Sequence, residues 1–121
     1  MKSILVIEDN ENMLRMVTDL LSRTGYQVLT AIDGVEGMKT YRSARPDLVL
    51  TDIIMPDKEG LEVIMELCRE VPRPKIIAMS GGGMMDPRTY LSLAEKLGAD
   101  EVLQKPFHPA DLLAMVEKLL R

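Results

Sequence analysis

The sequence predicts an α/β domain, a doubly wound parallel sheet of five strands with five helices, and three observations predict it. Short apolar runs begin near positions 4, 26, 48, 76 and 101. Between them, apolar residues recur at three and four positions, the period of an amphipathic helix. Strands that alternate with helices must be joined by crossovers, which makes the strands parallel. The 121 residues, 46% hydrophobic and 28% charged, suit one globular core. The expectation is a single domain over residues 1–121 with no output domain in the chain.

The elements follow in order. The first strand, "ILVI", runs into Glu8 and Asp9, and Asn10 can cap the helix that follows. In that helix Leu14, Val17, Leu20 and Leu21 form an apolar stripe, and Gly25 stops it before Tyr26. The second strand, "YQVLT", leads to a helix with Val35, Met38 and Tyr41 on its inner face. The third strand, "LVL", ends at Asp52 and precedes a helix in which Cys68 has helical spacing with Ile64, Leu67 and Val71. A lone cysteine there reads as a small buried hydrophobe. The fourth strand, "IIAM", ends at Ser80 and is followed by the loop "SGGGMMDP" and a helix with Tyr90, Leu93, Ala94 and Leu97 inward. After the fifth strand, "DEVLQ", comes Lys105. Phe107, the only Phe, should anchor that loop, and His108 falls at the lip of the last helix. Pro109 suits the first turn of that helix, whose apolar face is Leu112, Leu113, Val116, Leu119 and Leu120.

Strand texture orders the sheet. A parallel strand buried on both faces reads as a continuous apolar run, whereas an edge strand carries polar residues. The first, third and fourth strands are continuous and the second and fifth are mixed, which gives the flavodoxin-like order 2-1-3-4-5.

Composition excludes several functions. A net charge of −4 lacks the basic footprint of a nucleic-acid binder, so no direct contact with nucleic acid is expected. The apolar run in "MKSILVIEDN" is too short for a signal peptide or a membrane span, which makes the cytoplasm the expected compartment and a membrane no expected partner.

In a doubly wound sheet, ligands bind beyond the carboxyl ends of the strands where the strand order reverses. That point lies between the first and third strands. Glu8, Asp9, Asp52, Ser80 and Lys105 all fall at that edge. Two carboxylates about 4 Å apart repel by roughly 4 kcal/mol at an effective dielectric near 20, so three together call for a cation. Oxygen donors select Mg²⁺. Lys105 and Ser80 offer a positive charge and a hydroxyl to the oxygens of a phosphoryl group. The pattern suits phosphoryl transfer.

At these residues the chain resembles the receiver domain of two-component response regulators. The features that carry the likeness are Glu8-Asp9, Asp52 with Pro56 and Gly60, Ser80, and Lys105-Pro106. The resemblance implies that Asp52 accepts a phosphoryl group from a phosphohistidine on a sensor histidine kinase or phosphotransfer protein. It implies Mg²⁺ held by Asp9, Asp52 and the Ile54 backbone carbonyl, with Glu8 assisting through water. Lys105 would pair with the phosphoryl oxygens, Ser80 would move to hydrogen-bond one of them, and the Lys105-Pro106 peptide would be cis. The outcome is a conformational switch read by a downstream protein partner, and a signalling domain that catalyses only its own phosphorylation and dephosphorylation.

One position departs from the family pattern. Where an aromatic residue usually stands three positions before the lysine, this chain has Val102, which cannot report by ring rotation. The loop Gly81, Gly82, Gly83 is an alternative mobile element, and Met84 with Met85 an adaptable surface. Ile54 and Gly82 are candidates for setting water access to the site. Among other classes, a flavodoxin-like nucleotide binder would need a Gly- or Ser-rich loop where "EDNEN" stands. A haloacid-dehalogenase-like hydrolase would need an acid at Ile54. A phosphorylation-independent interaction module is the remaining alternative, which loss of Asp9, Asp52 or Lys105 would signal.

Overall fold

The computed structural model describes residues 1–53, 60–81 and 87–121, without the side chains of Pro87 and Tyr90. Among the described residues five strands alternate with five helices: β1 Ser3–Ile7, α1 Glu11–Arg23, β2 Gln27–Ala31, α2 Gly34–Ala44, β3 Leu48–Asp52, α3 Gly60–Leu67, β4 Lys75–Ser80, α4 Pro87–Leu97, β5 Glu101–Gln104 and α5 Pro109–Leu119. The strands form one parallel sheet in the order β2-β1-β3-β4-β5. Every residue of β3 is buried, as are all but the first of β1 and β4, while β2 and β5 keep exposed positions. Strand texture in the sequence therefore reads out the sheet order correctly.

The alternation of side chains along each strand divides the core in two. Leu5, Ile7, Val49, Ile76 and Ala78 meet Met38 and Tyr41 of α2, Val63, Ile64 and Leu67 of α3, and Leu91 and Ala94 of α4. On the other face Ile4, Val6, Leu48, Leu50, Ile77 and Met79 meet Val17 and Leu21 of α1 and Leu112 and Val116 of α5. Each such large side chain, fully buried, contributes about 1.5–3 kcal/mol. Cys68 lies half-buried against the first of these clusters, where its thiol donates to the Leu97 carbonyl at 3.5 Å.

The helix ends follow from the residues expected to make them. Asn10 Oδ1 accepts the Met13 N–H at 3.0 Å, a cap worth about 1 kcal/mol. Gly25, at φ 100°, closes α1: its N–H reaches the Ser22 carbonyl at 3.1 Å and the Tyr26 N–H reaches Leu21 at 3.3 Å. Pro109 opens α5 with His108 as the residue before it, and Phe107 packs on the α1–α5 core.

Three expected core positions are wrong: Val71 is 89% exposed because α3 ends at Leu67, before the stripe could carry it inward, and the other two lie on α2 and α4. Val35 is exposed, because the inner face of α2 is Gly34, Gly37, Met38 and Tyr41, and the Ile7 side chain fills the space over Gly37. Leu93 is also exposed, and Leu91 lies inward with Ala94 instead.

Candidate functional site

Because β1 and β3 are neighbours whose crossovers leave toward opposite faces, their carboxyl ends open a crevice. The strands deliver the predicted residues to it. Glu8 follows β1 and is 1% exposed. Asp52 ends β3 and is 7% exposed, and Ser80 ends β4 fully buried. Asp9 is exposed on the rim. One oxygen each from Glu8, Asp9 and Asp52 lie within 4.8 Å of one another.

Lys105, immediately after β5, crosses the end of the sheet to join this group. Its Nζ donates to Glu8 Oε1 at 2.5 Å and to Asp52 Oδ2 at 2.9 Å. The Lys105-Pro106 peptide is cis, as expected. The Lys105 N–H extends the β4–β5 ladder by one bond, to the Ser80 carbonyl at 2.9 Å.

The electrostatics follow from burial. Loss of water around Glu8 pushes its carboxyl up from 4.5 to about 7; the Lys105 hydrogen bond opposes this and the Asp52 charge adds to it. For Lys105, burial alone would lower the pKa, but hydrogen bonds and charges from Glu8 and Asp52 together outweigh burial and raise it. One lysine thus only partly offsets three acids: with all four groups charged, three negatives and one positive leave two negative charges.

The Asp52 backbone is held from several sides. The Asp52 carbonyl accepts the Thr51 hydroxyl at 2.9 Å, and the Ile53 N–H reaches the Met79 carbonyl at 3.0 Å. At the start of α3, a Cβ on Gly60 would stand 2.2 Å from the Asp52 carbonyl oxygen and 2.4 Å from Ile53 Cα. Gly60 is therefore glycine because the helix abuts the peptide of Asp52. Only its spacing from Asp52 marked it in the sequence.

The donors fit a divalent cation. All are oxygens, their net charge is negative, and the buried Oγ of Ser80, at the end of the neighbouring strand β4, has no hydrogen-bond partner among the described residues. Ile54, Pro56, Gly82, Gly83, Met84 and Met85 lie outside the described residues, as does the side chain of Tyr90. Val102 pairs with Ala78 across the β4–β5 ladder and packs half-buried on the α2–α4 core.

Comparison with known proteins agrees with this geometry. The model of the response regulator receiver domain family matches residues 4–117. The chain is 38% identical over 120 residues to "Probable transcriptional regulator ycf27" of Cyanophora paradoxa, covering 99% of this chain and 48% of that protein. It is 34% identical to the alkaline phosphatase synthesis transcriptional regulatory protein PhoP of Bacillus subtilis, covering 99% and 49%. Against the chemotaxis protein CheY of Thermotoga maritima it is 32% identical, covering 98% and 97%. The chain thus spans about half the length of the two regulators and nearly all of the chemotaxis protein. A crystal structure of a response regulator receiver domain protein from Clostridium thermocellum superposes with a TM-score of 0.90 at 31% identity, covering 98% of this chain and 94% of that one.

Proposed function

The chain belongs to the response regulator receiver family, the phosphorylation-dependent signalling domains of two-component systems, and on that premise we propose that Asp52 is its phosphoryl acceptor, with Lys105 and Ser80 as the groups that hold the transferred phosphoryl. Receivers of this family interact with histidine kinases and downstream targets. In this chain the donor would be a phosphohistidine on a kinase or phosphotransfer protein. An Asp52 oxygen forms a bond to phosphorus while the P–N bond to the donor imidazole breaks, its electron pair leaving with the ring nitrogen. The product is an acyl phosphate on Asp52.

The observation that carries this reading is the double contact of Lys105 Nζ with Glu8 and Asp52 at the reversal point of the sheet. An ammonium already beside the nucleophile can follow the negative charge onto the phosphoryl oxygens. The Ser80 hydroxyl, without a hydrogen-bond partner among the described residues, offers them a donor. Phosphoryl transfer through a loose transition state depends on such positioning and charge neutralisation. Asp9 and Asp52 would hold Mg²⁺, with Glu8 behind them. When bound, the ion would neutralise charge on the phosphoryl oxygens and keep the acids ionised.

As a receiver the chain is a signalling domain. We infer that it acts in the cytoplasm; among the described residues no helix is long and apolar enough to cross a membrane. With Asp9, Asp52 and Lys105 all present and converging, nothing specific favours a phosphorylation-independent module.

Intact mass after incubation with a small acyl-phosphate donor tests the reading. A single phosphoryl adduct that requires Mg²⁺ and is absent from Asp52→Asn is expected. An adduct of equal yield on Asp52→Asn would overturn the assignment.

A further inference from the structure

Lys105 stands immediately after β5, yet its Nζ meets the acids at the carboxyl ends of β3 and β1. Strands in a sheet lie about 4.7–4.9 Å apart, so the two spacings from β5 to β3 amount to roughly 9–10 Å, and β1 is one spacing further. The four-carbon stem of the lysine must therefore pass over the end of β4 to bring Nζ within 2.9 Å of Asp52 and 2.5 Å of Glu8.

The first residue after β4 is Gly81. Ser80 pairs with Gln104 in the ladder, which makes Gly81 the neighbour of Lys105 one step beyond it. There the two chains have drawn together. A Cβ at position 81 would lie 2.4 Å from Lys105 Cβ, 3.2 Å from its carbonyl oxygen and 3.3 Å from its Cα. The first distance is far inside van der Waals contact, and the atoms it meets are backbone or bonded to backbone, which cannot swing aside as a side-chain tip can. Gly81 does not occupy the left-handed region, so the need for glycine comes from this contact and not from backbone strain.

We propose that Gly81 is a positioning residue for Lys105: the missing side chain just past the end of β4 is the space that lets the lysine seat against that chain and reach the acids two and three strands away. The proposal rests on the receiver reading for its effect on transfer, and on contact geometry alone for the placement of Lys105. It gives the first glycine of the "GGG" run a role in close approach, distinct from loop mobility.

The test is a double-mutant cycle of Gly81→Ala and Lys105→Ala, read as the rate of adduct formation from a small acyl-phosphate donor. If Gly81 acts through Lys105, Gly81→Ala slows the parent about tenfold to a hundredfold but changes the Lys105→Ala rate by less than about twofold. Equal slowing in both backgrounds, or none in the parent, overturns the proposal. A second cycle needs no phosphorylation. Gly81→Ala lowers the melting temperature of the parent, and the loss shrinks by at least half in Lys105→Gly, where the clashing Cβ is gone. An undiminished loss overturns the proposal even if the parent forms no adduct, which would count against the receiver reading instead. Gly98→Ala serves as the control. It is strained at φ 125° and crowds Cys68 Sγ at 2.5 Å, after α4 and before the opposite end of the sheet, so it lowers melting but leaves the transfer rate unchanged.

Discussion

The two ends of the parallel sheet carry the same residue type and use it differently. At the amino ends, Asp47 stands just before β3 and Asp100 just before β5, and each reaches sideways to the strand next to its own. Asp47 Oδ2 accepts the Ser3 N–H at 2.9 Å, and Asp100 Oδ2 accepts the Ile76 N–H at 2.8 Å together with Arg73 Nη1 at 3.0 Å. Both acids complete a ladder that would otherwise begin with an open N–H. At the carboxyl ends, Glu8, Asp9 and Asp52 face one another with Lys105 as the cation that meets two of them, and the neighbouring Ser80 hydroxyl is left unpartnered among the described residues. An acid whose oxygens are committed to local backbone has a structural job. Acids crowded together with a single lysine place several negative charges at one edge, where a cation can be drawn in.

The comparison breaks most sharply through the two cations. Lys105→Ala should slow adduct formation by about a hundredfold or more, the scale for losing a preorganised charge at the transferring group. Arg73→Ala removes the partner of Asp100 at the other end and should leave the rate at the parent value. Measured rates that fall alike in the two variants would mean that the cations act through general stability, and the distinction between the ends would collapse.

How much of this was legible in the sequence depends on which signal each residue leaves. Continuous against mixed apolar runs ordered the sheet, because burial on both faces leaves no position for a polar residue. Glu8, Asp9, Asp52, Ser80 and Lys105 were legible because each ends or follows a strand, and a parallel sheet aims all such positions at one edge. Val35 and Leu93 misled because a hydrophobic stripe counts apolar side chains and is blind to glycine. On α2 the inward positions include Gly34 and Gly37, where Ile7 supplies the bulk. On α4 the stripe is rotated onto Leu91 and Ala94. The contacts of Gly60 and Gly81 were illegible for a related reason: a missing side chain acquires meaning only when a backbone from elsewhere in the chain comes to lie beside it. The ladder roles of Asp47 and Asp100 likewise appear only once their neighbouring strands are in register.

Acidity distinguishes the ends next. Glu8 ionises near 4.5 in the unfolded chain but is held up to about 7 when folded. Between those values the folded state binds more protons, so stability falls as pH rises through the window, by about 3 kcal/mol in all for a group this buried. The raised value for Lys105 acts in a different range. Its contribution is fully present below its ordinary pKa and is lost only as pH rises beyond it. Denaturant melts of the metal-free chain between pH 5 and 8 should show the decline. Glu8→Gln should flatten it, and Mg²⁺ should restore more stability at pH 8 than at pH 5. A Glu8→Gln curve parallel to that of the parent would show that the crowded acids do not carry this cost.

The smallest effects belong to the acids at the amino ends, and burial ranks them. Asp100→Ala leaves the N–H of fully buried Ile76 without its acceptor and also frees Arg73, whose guanidinium otherwise bonds Asp100 and the Gly98 and Pro74 carbonyls. A part-buried donor stripped of its partner costs about 1–3 kcal/mol. Asp47→Ala opens an N–H on Ser3 in an exposed bond, where water can replace the carboxylate, so the cost should stay below about 1 kcal/mol. Neither change should alter the rate of adduct formation, since the full length of the sheet separates both acids from Asp52. Equilibrium unfolding beside transfer rates checks the ranking. If Asp47→Ala proved the more destabilising, the cost would be set by something other than desolvation of the stranded N–H, and the reading of these two acids as ladder completions would fail.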